Sequence, residues 1–307
     1  MSVVPATMTT MAAVVLVTAA CAAQLDDGGP WRRAEELTGD LAVECGAAAT
    51  VATPRDVLRV ATWNVHYGAD AEGLATELGA DPELATADVV LVQEIEAYRA
   101  EGRSRARRLA EALGMAWCYA PARTEPGGSH GLAILSRYPL EAAAVRALPR
   151  FESSFRQRDR NALWLEVVVG PHRVPVVGVH LDVRLGAVDR IRQLDPATLD
   201  LPDRVVLGGD FNTNPWVWAQ STLPLTGTEA ITGLEQAQIL DDYLAASGFV
   251  GDLPPDVATM RLPAFAIRTD NVYTRGYPIL RSGVGTAGGS DHWPVWVDLD
   301  LVGSRPR

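Results

Sequence analysis

Acidic, amide and imidazole side chains stand at the ends of apolar runs in this chain. Asn64 follows VLRVATW, Gln93 and Glu94 follow ADVVLV, His180 follows VPVVGV, Asp210, Phe211 and Asn212 follow RVVLGG, and Ser290, Asp291 and His292 precede WPVWVDL. Strand ends that meet on one rim of a packed sheet bring such side chains together. Glu94, Asp210, Asp270 and Asp291 on that rim would repel one another, and with no lysine to offset them a divalent cation is the simplest compensation. Carboxylates and an asparagine amide are hard oxygen donors, which suit Mg²⁺ or Mn²⁺, with Ca²⁺ also fitting, rather than zinc. Two histidines beside such an ion suit acid–base work on a phosphoryl group. One takes a proton from water while the metal and an arginine hold the equatorial oxygens.

The elements that must position these residues are legible as short Val-, Ile-, Leu- and Trp-rich runs ending at Trp63, Val92, Ser136, Val169, Val179, Gly209 and Leu299. Helical patterns lie between some of them, over Ser104–Leu113, Ala187–Leu199 and Gln236–Ser247. Continuous apolar strands interleaved with helices imply sheets covered on both faces. With 307 residues, 48% hydrophobic and 21% charged, the chain has the material for a large core and lies outside the disordered range. All 27 basic residues are arginine, which excludes an amine nucleophile, a Schiff base or a phosphate-loop lysine. The net charge of −11 provides no global field to draw nucleic acid or anionic lipid.

Six ordered segments, ATWNVHYG, VVLVQEIE, GLAILSRYPL, VVGVHLD, GGDFNTNP and GGSDHWPV, resemble the endonuclease/exonuclease/phosphatase superfamily over roughly Leu58 to Leu299. This superfamily comprises metal-dependent phosphoesterases such as DNase I-like nucleases, neutral sphingomyelinases and inositol-polyphosphate phosphatases. The resemblance implies an α/β fold, a four-layer sandwich of two packed mixed sheets flanked by helices. It also implies hydrolysis of a phosphodiester or phosphomonoester P–O bond by in-line attack of water. Carried onto this sequence, it gives Asn64 and Glu94 to the metal with Asp291 close by. Asp210 and Asn212 position the attacking water and contact the phosphate. His292, polarised by Asp270, is the catalytic histidine, His180 the second histidine at the phosphate or leaving group, and Arg160 a phosphate contact. One departure is the Asp270 segment, which reads TDNVYTRG where many members place an aspartate directly before a large apolar residue.

The remaining features frame the expectation. Residues 1–23 read as a secretory or lipoprotein signal segment, with Cys21 a candidate for lipidation and membrane anchoring. Residues 24–56 read as a linker or N-terminal extension, and 57–303 as one catalytic domain, expected to be a monomer exported to the periplasm, the outside or a membrane surface. Cys45 and Cys118 either pair in an oxidising compartment or stay as thiols. His66, His130 and His172 fall outside the motif pattern and read as structural, and Arg103, Arg105, Arg107 and Arg108 read as a solvated helix face. Trp216 and Trp218 read as packing under their loop. The substrate class stays open between nucleic acid, phospholipid and a small phosphoester, and a non-catalytic binding protein of the same fold is the competing reading.

Overall fold

The computed structural model describes residues 28–151, 158–214, 216–217, 225–226, 234–261 and 266–303. The signal segment with Cys21, and Trp218, lie outside the described residues. Two seven-stranded sheets form the centre. The first runs, edge to edge, through Arg32–Arg33, Leu140–Ala147, Asn161–Val169, His172–His180, Val205–Asp210, Asp270–Arg275 and Val250–Gly251. The second runs through Ile279–Val284, Val295–Asp300, Val57–Tyr67, Val89–Tyr98, Gly128–Ser136, Ala116–Glu125 and Glu44–Gly46. Both are mixed, with parallel pairs at Val205–Asp210 against His172–His180 and at Val57–Tyr67 against Val89–Tyr98.

Side-chain alternation divides the core into three layers, because successive residues of a strand face opposite sides. Leu58, Val60, Leu91, Val174, Val176, Val206, Val272 and Val297 pack between the sheets. Ala61, Trp63, Val65, Val90 and Val92 face outward from the second sheet, against helices α1 (Ala71–Ala80) and α2 (Arg105–Leu113). Val177, Val179, Val205, Leu207 and Tyr273 face outward from the first sheet, where Leu194 of α3 (Ala187–Thr198) and Leu240 and Leu244 of α4 (Leu234–Ala246) cover them. The result is the α/β four-layer sandwich. Among the described residues no helix is long and apolar enough to cross a membrane.

Three helices fall where the sequence places them, within two residues at each end. The fourth, α1, has no counterpart in the sequence reading. Its apolar stripe is half alanine, Ala71 and Ala75 beside Leu74 and Leu78, which gives a weak periodic signal, yet Asp70 caps it by accepting from the Gly73 amide at 3.0 Å. The N-terminal segment contributes an edge strand to each sheet, Arg32–Arg33 to the first and Glu44–Gly46 to the second. Cys45 and Cys118 face each other across the latter pairing and form a disulfide. The arginines of α2 are tied down by carboxylates: Arg105 to Glu96 and Glu101, Arg107 to Glu111, and Arg108 to Glu72.

Candidate active site

Period-two alternation delivers four of the expected side chains to the space between the sheets at one end of the sandwich. Asn64 shares the parity of Leu58 and Val60, His180 that of Val174 and Val176, Asp210 that of Val206, and Asp270 that of Val272. Asp210 and Asp270 are direct cross-strand partners, and Asp210 is also in register with His180 on the parallel side. Gly209 has a φ of 152°, and a side chain there would collide with the Val179 carbonyl. Glycine is therefore required for the strand to close on its neighbour just before Asp210.

Glu94 reaches the site by a different device. Continued alternation would send it to the helix side with Val90 and Val92. Instead the ladder to the Gly128–Ser136 strand shifts register between Val92 and Ile95, and Glu94 takes a left-handed φ of 56°. Such a bulge re-aims a side chain. A second shift, between Asn64 and Tyr67, accompanies left-handed His66 and Tyr67. Of the six non-glycine residues with positive φ among those described, four are His66, Tyr67, Glu94 and Asn212, so the backbone's unfavourable conformations gather at this rim.

The assembled polar network runs from one sheet to the other. Asn64 Nδ2 donates to Asp210 Oδ2 at 2.9 Å, and Asn64 Oδ1 accepts from the His66 amide at 3.1 Å. The Asn212 amide donates to Asp210 Oδ1 at 2.8 Å, while Asn212 Nδ2 is held by the Leu181 carbonyl at 2.9 Å. His292 Nδ1 lies 2.8 Å from Asp270 Oδ2, and its Nε2 lies 4.0 Å from Asp210 Oδ2. Opposite, His180 Nε2 lies 3.4 Å from the same Asp210 oxygen and 3.8 Å from Glu94 Oε1. The Arg160 guanidinium sits 2.7 Å from His180 Nδ1. Asp291 is half-exposed on the lip, 3.5 Å from His66 Nδ1, and Ser290 Oγ beside it donates to the Asn64 carbonyl at 2.7 Å.

Partners set the protonation of the two histidines. Arginine only donates, so His180 Nδ1 must accept and the ring's proton resides on Nε2, toward Asp210 and Glu94. Burial, then the Arg160 charge, holds His180 well below the ordinary histidine range, so it is neutral. Burial also acts to lower His292, but Asp270, by charge and hydrogen bond, with Asp210 and Asp291, carries it up to about 10. Asp210 is pushed up by burial and by the neighbouring Asp270 charge.

Sequence reasoning missed the residues that hold this frame. Thr259 and Thr269 each donate a hydroxyl to Asp270 Oδ2 at 2.8 Å. Thr259 lies in a loop without periodicity, and it is brought here by pairing on two sides, its amide to the Ile267 carbonyl and, near His292, the Trp293 amide to the Thr259 carbonyl and the Arg261 amide to the Asp291 carbonyl. His66 and His130, read as structural, also come to the site. His66 stands at the lip beside Asp291, and His130 is buried with its ring 6.5 Å from that of His180. His130 lies close before GLAILS, so the strand-end pattern that singled out the others would have found it. His172 opens the strand that ends at His180, so it stands at the opposite end of that strand from the site.

The profile of the Endonuclease/Exonuclease/phosphatase family matches residues 61–292, spanning every one of these side chains. The chain belongs to that family. Solved structures agree on the fold. A family protein from Beutenbergia cavernae DSM 12333 shares 24% identity at a TM-score of 0.59, covering 81% of this chain and 73% of its own. D. rerio TDP2 complexed with a single-strand DNA product shares 17% at 0.55, covering 80% and 99%. The Bacteroides thetaiotaomicron VPI-5482 mannosyl-6-phosphatase Bt3783 shares 15% at 0.52, covering 79% and 99%. A search of curated proteins gives no match to this sequence.

The oxygen donors fit the hard cation expected of the family. The Glu94 carboxylate takes no hydrogen bond from any described residue and is kept in the site at the cost of a left-handed backbone, and the Asn64 amide oxygen and Asp291 belong to the same rim. The ligand-type atoms of Asp210, Asp270 and His292 also lie within 4.8 Å of one another. There, however, Asp270 Oδ2 already takes hydrogen bonds from Thr259, Thr269 and His292, which suits sharing a proton better than holding an ion.

Proposed function

We propose that the protein is a metal-dependent phosphoesterase that cleaves a P–O bond by in-line attack of water between His292 and His180. The observation that carries this reading is the pair of histidines, one charged and one neutral, facing one buried aspartate. His292 Nε2 and His180 Nε2 lie 4.0 and 3.4 Å from Asp210 Oδ2. His292, oriented by Asp270, accepts the proton of a water that Asp210 and Asn212 position. His292 must be neutral to do so, and positive charge at the rim would oppose the Asp270, Asp210 and Asp291 carboxylates that raise it. His180 presents an Nε2 hydrogen to the phosphoryl or leaving oxygen, and Arg160 fixes that tautomer while adding positive charge behind it. Glu94 and Asn64, with Asp291 nearby, would hold Mg²⁺ or Mn²⁺, which supplies Lewis-acid stabilisation of phosphoryl charge when bound.

Hydrolysis of bis(p-nitrophenyl) phosphate with Mg²⁺ or Mn²⁺, and its loss in EDTA, tests the reading. Glu94→Gln nearly keeps shape while removing a charge, so turnover at limiting Mg²⁺ should fall by at least about tenfold with little change in melting temperature, the scale of a lost charge-assisted contact. Unchanged turnover in that variant would remove Glu94 from the metal. We also propose export, which the Cys45–Cys118 disulfide supports because such bonds persist in oxidising compartments. A mature N-terminus mapped at Met1 in the native host would refute it.

A further inference from the structure

Of the four arginines around the start of α2, read from the sequence as a solvated face, Arg105 is the exception. Its side chain is only 12% exposed, against 58% for Arg103 and 47% for Arg107, which share the surface carboxylate of Glu111. Its Nε and Nη2 bond Glu101, the latter at 2.6 Å, and the guanidinium lies over the Tyr98 ring, 4.9 Å from the centroid. That leaves Nη1, which points at the rim of the site. It donates twice, to the Tyr67 carbonyl and to Glu96 Oε2, each at 2.9 Å. The Glu96 side chain is itself only 10% exposed, so this bond is sheltered from the water that weakens the outer pairs.

These two acceptors belong to the two irregular strand ends that carry Asn64 and Glu94. Tyr67 lies just past Asn64, in a tight turn where the Gly68 amide bonds the Val65 carbonyl at 3.0 Å and φ is 45° at His66 and 71° at Tyr67. Positive φ at both central positions is ordinarily left to glycine, asparagine and aspartate. Glu96 lies just past Glu94, where the ladder re-forms beyond the bulge with Ile95 opposite Gly131 and Glu96 opposite His130. Strained backbone persists only where its surroundings hold it. The rigid guanidinium fork therefore fastens the turn after Asn64 to the strand after Glu94 and anchors both on α2. Without it a carbonyl and a sheltered carboxylate lose a donor, and Glu94 is free to relax toward the alternation that turns it to the helix side.

We infer that Arg105 is a positioning residue that braces these two strand ends and thereby sets the affinity of the site for its divalent cation. This rests on the metal-dependent reading above. The test titrates Mn²⁺ into the full chain by calorimetry and follows hydrolysis of bis(p-nitrophenyl) phosphate against Mg²⁺ concentration. Arg105→Gln should weaken Mn²⁺ binding by about tenfold or more, the scale on which residues that orient metal ligands act, and raise the Mg²⁺ needed for half-maximal rate in step. Turnover at saturating Mg²⁺ should stay near the wild-type value, a split that general loss of structure does not produce. Arg107→Gln, which breaks a surface pair on the same helix, should change neither quantity. Arg105→Lys keeps the charge without the fork and should stay close to Arg105→Gln. Unchanged Mn²⁺ affinity in Arg105→Gln, an equal loss in Arg107→Gln, or full recovery in Arg105→Lys overturns the brace. Should Arg105→Gln fail to fold, Glu96→Gln cuts one arm of the brace and carries the same expectation in the same titration. A wild type that binds no Mn²⁺ fails the metal reading instead. The brace is then judged in chelator by hydrogen exchange at the Gly68 amide, which Arg105→Gln should speed by about tenfold, the scale of one lost charge-assisted bond, and Arg107→Gln should not. Equal exchange in the wild type and Arg105→Gln refutes it.

Discussion

His292 and His180 face the same Asp210 oxygen from opposite sides, yet one ring is a cation and the other is neutral. Both are buried, so burial alone would lower both. The difference comes from the atom behind each Nδ1, an Asp270 carboxylate in one case and an Arg160 guanidinium in the other. One residue type thus gives a proton carrier on one wall and a fixed hydrogen-bond donor on the other.

The most damaging way to break the contrast is to remove the proton carrier. His292→Ala should lower turnover of bis(p-nitrophenyl) phosphate by about 10²–10⁴-fold at saturating metal, the usual worth of a positioned general base. Wild-type rates in that variant would end the proposed mechanism. Next comes the opposite wall. Arg160→Gln removes the cation behind His180, so turnover should fall by roughly 10²-fold, on the scale of losing an electrostatic stabiliser. The His180 pKa should rise in the same variant, read from ¹⁵N shifts of the ring. A ring that stays neutral with its proton on Nε2 would show that Arg160 does not set its state.

A finer cut leaves both histidines in place. Thr259→Val deletes a hydroxyl bond to Asp270 and makes that carboxylate a stronger partner for the His292 proton. We expect a loss of about tenfold or less, with the acid limb of the pH–rate profile moved to higher pH. A uniform loss without movement of that limb would mean Thr259 only supports the fold.

The smallest effect is on stability in chelator. His292 has a folded pKa raised to about 10, so its contribution is fully present below the unfolded value of about 6.5 and is lost as pH rises through about 10. His180 has a lowered folded pKa, so folding disfavours its protonation and stability falls as pH drops below about 6.5. The melting temperature should fall by a few degrees, about 2–4 °C per kcal/mol, on each limb. His292→Asn should flatten the alkaline limb and His180→Asn the acid one. Matching limbs in both variants would assign the titrations elsewhere.

Much of this was present in the one-dimensional pattern. Apolar alternation fixes which face of each strand looks into the sandwich, so the parity of Asn64, His180, Asp210 and Asp270 is a property of the sequence, as is their place at strand ends. That the sheets are covered on both faces follows from the same runs, while the pairing of two sheets was implied by the family resemblance and α1 was not legible. Tertiary structure decided three things. Glu94 enters the site only because a bulge breaks its parity, and that register shift is defined by a neighbouring strand rather than by local residues. Thr259 and Thr269 reach Asp270 from outside any periodic run that the sequence shows. The charge of each histidine depends on a partner 20 or 22 residues away, Arg160 for His180 and Asp270 for His292. Residue type gives a histidine its capacity to change charge near neutral pH, but the field that selects the charge falls off with distance in space and is blind to distance along the chain.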